Sequence, residues 1–292
     1  MTDLQRGLDT VDQWFLPSDG FDLYVREIGS GPPVIAVHGG PGVEHSELVE
    51  PLLPLTERHR VLWYDQRGSI RSPYSDLDQL ESITFDAHVG DLIRLAEEVG
   101  PASVVAHSYG TLIMMTALRR RPELFRSIVL TGAIPATGFN LAGRDRWNAE
   151  RGGLAAARIA ELGLDRDDLS ARESQLRWRI GFAAFNAVAE DAWLTLRWPG
   201  RSWNRQDVAH LGDRGCPETF DYTVDLVSHP HPVTVIMGDS DYADLGLDTW
   251  RSICAAHPSL GLRVLERCGH SPWYDRPELF RTELLAAFAQ PA

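Results

Sequence analysis

The sequence predicts an α/β fold: a mostly parallel eight-stranded sheet with helices on both faces and an inserted helical cap. Three observations predict it. Short apolar, β-branched runs alternate with helical patterns along most of the chain, the pattern of a parallel sheet and its crossover helices. The runs are apolar almost throughout, as in Val34-Ile35-Ala36-Val37 and Val104-Val105-Ala106, which suits strands buried on both faces. The alternation then stops between Pro135 and Val227, a stretch rich in Ala, Arg and Trp without a convincing strand.

The elements follow in order. A short strand near Trp14–Pro17 is expected to pair with Phe21–Ile28, and strands at Pro33–Val37 and Arg60–Tyr64 come next. Thr84–Val99 places Phe85, His88, Val89, Leu92, Leu95, Ala96 and Val99 on one helical face. Ser103–Ala106 runs into a helix over Thr111–Arg121, and Ser127–Leu130 is the last strand before the helical stretch. The chain returns to strand at Pro232–Met237 and Leu262–Leu265, and a helix over Glu278–Ala287 follows Pro277, a good helix-starting residue. This divides the chain into a core of 1–134 and 228–292 and a cap of 135–227. The cap is expected over the strand C-termini, where open α/β sheets bind ligands.

Composition narrows the function. A net charge of −13 opposes binding to nucleic acid. All 28 basic residues are Arg, so Schiff-base, P-loop and Ser–Lys chemistries are excluded. Cys216, Cys254 and Cys268 form no C-x-x-C pair, which suggests neither a disulfide framework nor a zinc site. Cys268, two residues before His270, reads as a small buried residue rather than a nucleophile. No apolar run reaches the roughly 20 residues of a membrane span. The N-terminus lacks the basic and apolar regions of a secretory signal, so a soluble, cytoplasmic protein without membrane association is expected.

Three segments carry chemistry. In Ala106-His107-Ser108-Tyr109-Gly110 a buried strand meets a helix with Ser at the junction and Gly two places on. This is the form of a nucleophile elbow, in which a strained turn lifts the hydroxyl above the sheet. The usual G-x-S-x-G here has Ala106 in its first position. Downstream come Gly238-Asp239-Ser240-Asp241 after one strand and Gly269-His270 after the next, giving the order Ser, Asp, His that belongs to the α/β-hydrolase fold. Ser108 is thus the expected nucleophile, His270 the base and Asp241 the acid. Among Asp239, Asp241 and Asp244, the spacing Gly-x-x-Asp selects Asp241, and Asp239 reads as a turn residue bonding its own backbone. Val129-Leu130-Thr131-Gly132, at the end of the preceding strand, supplies no carboxylate. The glycines of His38-Gly39-Gly40-Pro41-Gly42 suit a loop whose backbone amides face the substrate, and the oxyanion hole is assigned to the amides of Gly40 and Tyr109. His38 and His107 read as structural.

H-G-G-P-G followed by Asp65-Gln66-Arg67-Gly68-Ser69-Ile70-Arg71-Ser72 resembles the prolyl aminopeptidase (proline iminopeptidase) family of α/β-hydrolases. The resemblance implies release of an N-terminal residue, usually proline, with Ser108, Asp241 and His270 as the triad and Arg67 with Asp65 buttressing the glycine loop. It also implies cap carboxylates that hold the substrate's amino group, for which Glu150, Glu173, Glu190 and Asp191 are candidates. Trp147, Trp178, Trp193, Trp198 and Trp203 lie in the cap. Most of them suit the cap's own core, with one or two lining a pocket for a hydrophobic group.

The expected function is hydrolysis of an amide or ester by acyl-enzyme catalysis, first of all the prolyl aminopeptidase-like release of an N-terminal residue that the resemblance implies, with no metal or organic cofactor and a small molecule or short peptide as substrate. A carboxylesterase or lactonase acting on a small hydrophobic substrate is the alternative with the same triad. Cofactor-free haloperoxidation, C–C bond hydrolysis and a non-catalytic receptor are more distant alternatives.

Overall fold

Successive residues of one central strand serve two cores. Val34 and Ala36 pack into one apolar layer and Ile35 and Val37 into the other, because side chains alternate across a strand and both faces of this sheet are covered. The computed structural model describes residues 12–139, 141–189, 191–196, 208, 214–244 and 247–289. Eight strands form one sheet: β1 (Gln13–Ser18), β2 (Phe21–Ile28), β3 (Pro33–Val37), β4 (Arg60–Tyr64), β5 (Ala102–His107), β6 (Phe125–Thr131), β7 (Val233–Gly238) and β8 (Leu260–Leu265). Their order is β1-β2-β4-β3-β5-β6-β7-β8. The first two are antiparallel to their neighbours, and every pairing from β4 to β8 is parallel. The expected fold class and all eight expected strands are present, with strand ends close to those expected.

Helices α1 (Phe85–Val99) and α2 (Tyr109–Arg120) cover one face. Thr84 caps α1 by accepting the Ala87 N–H at 3.2 Å, and Gly100 ends the helix at φ 84°. The expected apolar stripe is buried except Val99, which is half-buried, and Asp91 joins the buried face unforeseen. Between β6 and β7 the described residues contain no strand. Helices α3 (Leu141–Glu161) and α4 (Ala171–Asn186) pack there around a small core of Ala155, Leu164 and Ile180. Helix α5 (Asp248–Ala256) links β7 to β8, and α6 (Pro277–Phe288) packs its Phe280, Leu284 and Ala287 into the second core. Among the described residues no helix is long and apolar enough to cross a membrane.

Candidate active site

The turn from β5 into α2 is strained. Ser108 sits at φ 52° and ψ −123°, a conformation that costs a non-glycine residue on the order of 1–3 kcal/mol. Helix α2 begins directly at Tyr109, two residues earlier than the sequence suggested, because no spacer separates strand from helix. Gly110 allows this. A Cβ there would meet the carbonyl oxygens of Val37 and His38 at 2.5 and 2.6 Å. The small residue two places after Ser108 is therefore required by the end of β3.

Asp241 follows β7 and is fully buried. Its Oδ1 accepts the Ala243 N–H at 2.8 Å and lies 2.8 Å from His270 Nδ1. His270, in the loop after β8, is 2% exposed, and its Nε2 is buried without a hydrogen-bond partner among the described residues. The imidazole lies between the rings of Tyr242, at 4.2 Å, and His107, at 4.8 Å. The other two acids have separate tasks. Asp244 accepts the Trp250 N–H at the start of α5, and Asp239 accepts the N–H groups of Arg267 and Cys268. Asp239 thus takes backbone N–H groups of the loop after β8 rather than of its own turn as the sequence suggested, and within that turn it accepts from Ser240 Oγ at 3.2 Å. Cys268 is buried and its thiol is pushed up to about 12, chiefly by burial, so it is no thiolate nucleophile.

The glycine loop is held from below. His38 Nε2 accepts the Gln66 N–H at 3.1 Å, so Nδ1 carries the proton and donates to the Gly39 carbonyl at 2.6 Å. Burial holds His38 below the ordinary imidazole range, consistent with this neutral form. In a trans peptide the N–H points opposite the C=O. With the Gly39 carbonyl turned to His38, the Gly40 N–H is turned away from it. A Cβ on Gly39 would stand 3.2 Å from Ser108 Cβ, so the loop lies directly against the strained turn.

The expected Arg67–Asp65 buttress forms differently. Arg67 binds Asp91 of α1 through two hydrogen bonds, at 2.7 and 2.5 Å, and stacks on Phe21. Asp65 accepts from the backbone and ring of His45 and from the Arg71 N–H. Asp65 therefore braces the chain just beyond the glycine loop, and Arg67 anchors it to the helix layer. Arg71 also pairs with Glu44. The cluster Glu44, His45 and Asp65 has metal-ligand residue types, but the Arg71 guanidinium already pairs with both of its carboxylates.

The cap candidates separate. Glu173 closes a capping box with Ser170 at the start of α4 and pairs with Arg166. Glu150 and Asp191 are exposed. Glu190, Trp198, Trp203 and the side chain of Trp147 lie outside the described residues. Trp178 stacks on Phe182 at 5.0 Å, and Trp193 packs on the small helical core.

Sequence reading passed over two acids near His270. Glu47 sits in the run Glu44-His45-Ser46-Glu47, which looks like a solvated segment, yet its Oε1 accepts the Gly39 N–H at 2.7 Å. Asp275 accepts the N–H groups of Gly269, Val188 and Ala189, which ties the end of α4 to the His270 loop.

Residues 34–283 match the Alpha/beta hydrolase family. Strigolactone esterase D14 of Arabidopsis thaliana is 32% identical over 117 residues, which are 39% of this chain and 43% of that esterase; the matched stretch thus spans less than half of its length. The AB hydrolase superfamily protein YclE of Bacillus subtilis is 22% identical over 271 residues, 90% of this chain and 94% of its own. A solved proline iminopeptidase-related protein of Thermus thermophilus superposes with a TM-score of 0.69 at 25% identity, covering 95% of this chain and 96% of that one. Sheet order, crossover helices and a family match over most of its length agree, and the chain belongs to the alpha/beta hydrolase family.

Proposed function

We propose that the chain is a serine hydrolase that cleaves carboxylic esters through an acyl-enzyme, with Ser108 as nucleophile, His270 as general base and Asp241 as its orienting acid. One observation carries the reading. A buried imidazole is bonded to a buried carboxylate through Nδ1, its Nε2 has no partner among the described residues, and its ring lies 4.8 Å from that of the residue preceding the strained Ser108. With Asp241 accepting from Nδ1–H, the lone pair is on Nε2, the tautomer a base needs.

In the proposed reaction His270 takes the Ser108 proton as the hydroxyl attacks the carbonyl carbon. The negative charge settles on the amides of Gly40 and Tyr109, each worth about 3 kcal/mol of barrier. The start of α2 adds its dipole, positive at Tyr109. The imidazolium, paired with Asp241, then protonates the leaving group, and water repeats the sequence to release the acid. The segment 135–227 is proposed as the cap over this site.

A specific observation favours esters over N-terminal residue release. Among the described candidate carboxylates for holding a substrate amine, Glu173 is engaged in a helix cap and Glu150 and Asp191 are exposed, while Glu190 lies outside the described residues. Aminopeptidase activity is the second reading, supported by the H-G-G-P-G loop and by the likeness to the proline iminopeptidase-related structure. Rates on p-nitrophenyl esters, lactones and proline arylamides, with free or blocked amine, discriminate the two. Faster turnover of esters, indifferent to a free amine, is expected, whereas dependence on the free amine would establish the peptidase. Ser108→Ala should abolish turnover and labelling by a fluorophosphonate, and Asp241→Asn should lower kcat by about four orders of magnitude. Retained activity in Ser108→Ala would overturn the triad.

A further inference from the structure

Glu47 and His107 are buried, 6% and 2% exposed, and take no step in the reaction above. A buried carboxylate destabilises the fold unless it is paired, and this one has two partners. Glu47 Oε1 receives the Gly39 N–H and stands 3.1 Å from His107 Nδ1. The other nitrogen of His107 lies 3.3 Å from the backbone oxygen of His270 and 3.5 Å from Ser271 Oγ. The His270 oxygen is a carbonyl and can only accept. Ser271 Oγ has Asn186 Oδ1 at 3.2 Å to receive its own proton. Its partners hold the Glu47 carboxyl below the usual range against the effect of burial; with Glu47 ionised, both nitrogens of His107 face acceptors, and a doubly protonated imidazolium satisfies both. The His107 ring also meets the indole of Trp273 in a T-shaped contact at 4.8 Å.

From this geometry, and resting on the serine hydrolase reading, we infer that Glu47 and His107 form a buried ion pair that positions the glycine loop and the His270 loop against each other across Ser108. One end of the pair holds Gly39, where a Cβ would stand 3.2 Å from Ser108 Cβ, and the other holds the backbone of the general base. The two halves of the reaction centre come from β3 and β8, four strands apart in the sheet order, so their mutual distance depends on whatever bridges them. The pair touches no substrate. Its two charges cancel, so it exerts little net field on the His270 ring beside it. Removing one partner leaves an uncompensated charge there, and removing both does not.

Three variants test this: Glu47→Gln, His107→Asn and the double variant. Each single variant is expected to lower kcat about tenfold to a hundredfold, the scale of a misplacement near 1 Å, with KM within about twofold. Fluorophosphonate labelling of Ser108 should slow by the same factor. The double variant should lose no more than the worse single one, as for groups that act as a unit. Folded single variants that label at the wild-type rate would overturn the ion pair alone, as would a double variant that loses the product of the two. Absence of Ser108 labelling in the wild type would remove the serine hydrolase reading and this inference with it. Should the variants fail to fold, imidazole ¹⁵N NMR of the wild type decides. His107 is expected to show two protonated ring nitrogens at neutral pH, and a neutral ring overturns the pair.

Discussion

At the scale of single residues, the site is built by side chains that exclude alternatives. Ser108 occupies a left-handed conformation that the β5–α2 junction imposes, and the free energy stored there lowers the stability of the whole chain. Ser108→Gly is accordingly expected to raise unfolding stability by about 1 kcal/mol while abolishing turnover, since glycine adopts this φ without strain. Urea denaturation checks it, and a glycine variant no more stable than wild type would show the turn to be unstrained. Gly110 has the opposite sensitivity. Gly110→Ala should destabilise by at least about 2 kcal/mol, because the added methyl meets two backbone carbonyls of the β3 end that cannot retreat. The same denaturation curves measure it, and a loss below about 0.5 kcal/mol would contradict the close approach.

At the scale of elements, buried carboxylates tie loops to helices. Asp91 on α1 receives Ser18 Oγ and a two-pronged Arg67, which joins the β1–β2 turn, the loop after β4 and the helix layer. Asp91→Asn leaves the Arg67 guanidinium buried without its counter-charge and should cost about 3–5 kcal/mol. Calorimetry would report the loss as a lower Tm, and an unchanged Tm would mean that the pair contributes nothing net. Asp239 and Asp275 act from either side on the loop after β8. The first bolts this loop to β7 and the second bolts it to residues 188–189, so the position of His270 depends on the end of α4 as well as on the sheet.

At the scale of the whole molecule, several buried groups respond to acid in the same direction. Burial pushes His88 down to about 3 and holds His38 below its ordinary range. In the unfolded chain both take up a proton below about pH 6.5, while in the folded chain they resist it. Their contribution to stability is complete above about pH 6.5 and is lost as pH falls, by about 1.4 kcal/mol per unit for each. Glu47 and Asp65 add to this. Burial raises their carboxyls, but their partners outweigh burial: His107 and the Gly39 N–H for Glu47, His45 for Asp65. Both end below the usual carboxylate range, so their stabilisation is present above about pH 4 and disappears below it. Stability should therefore fall progressively from about pH 6.5 downward. His88→Gln should flatten the first part of that decline, because Gln still offers Tyr109 Oη a hydrogen bond but does not titrate. Thermal melts from mildly alkaline pH down to about pH 4 measure both slopes, and parallel slopes for the two proteins would contradict the assignment.

The sequence by itself determined the strand order along the chain, the periodic faces of its helices and the three loops where Ser108, Asp241 and His270 reside. These are local properties: apolar runs, a glycine two places after a serine, and a carboxylate and a histidine that follow apolar runs. What only the tertiary structure decided is which partner each charge takes. Arg67 bonds Asp91 rather than Asp65, Asp239 takes the backbone of the next loop rather than its own, and Glu47, part of a run that reads as solvated, is buried beneath Gly39. A charged side chain reports its need for a partner but not the partner's address, because that address depends on loops brought together from strands far apart in sequence.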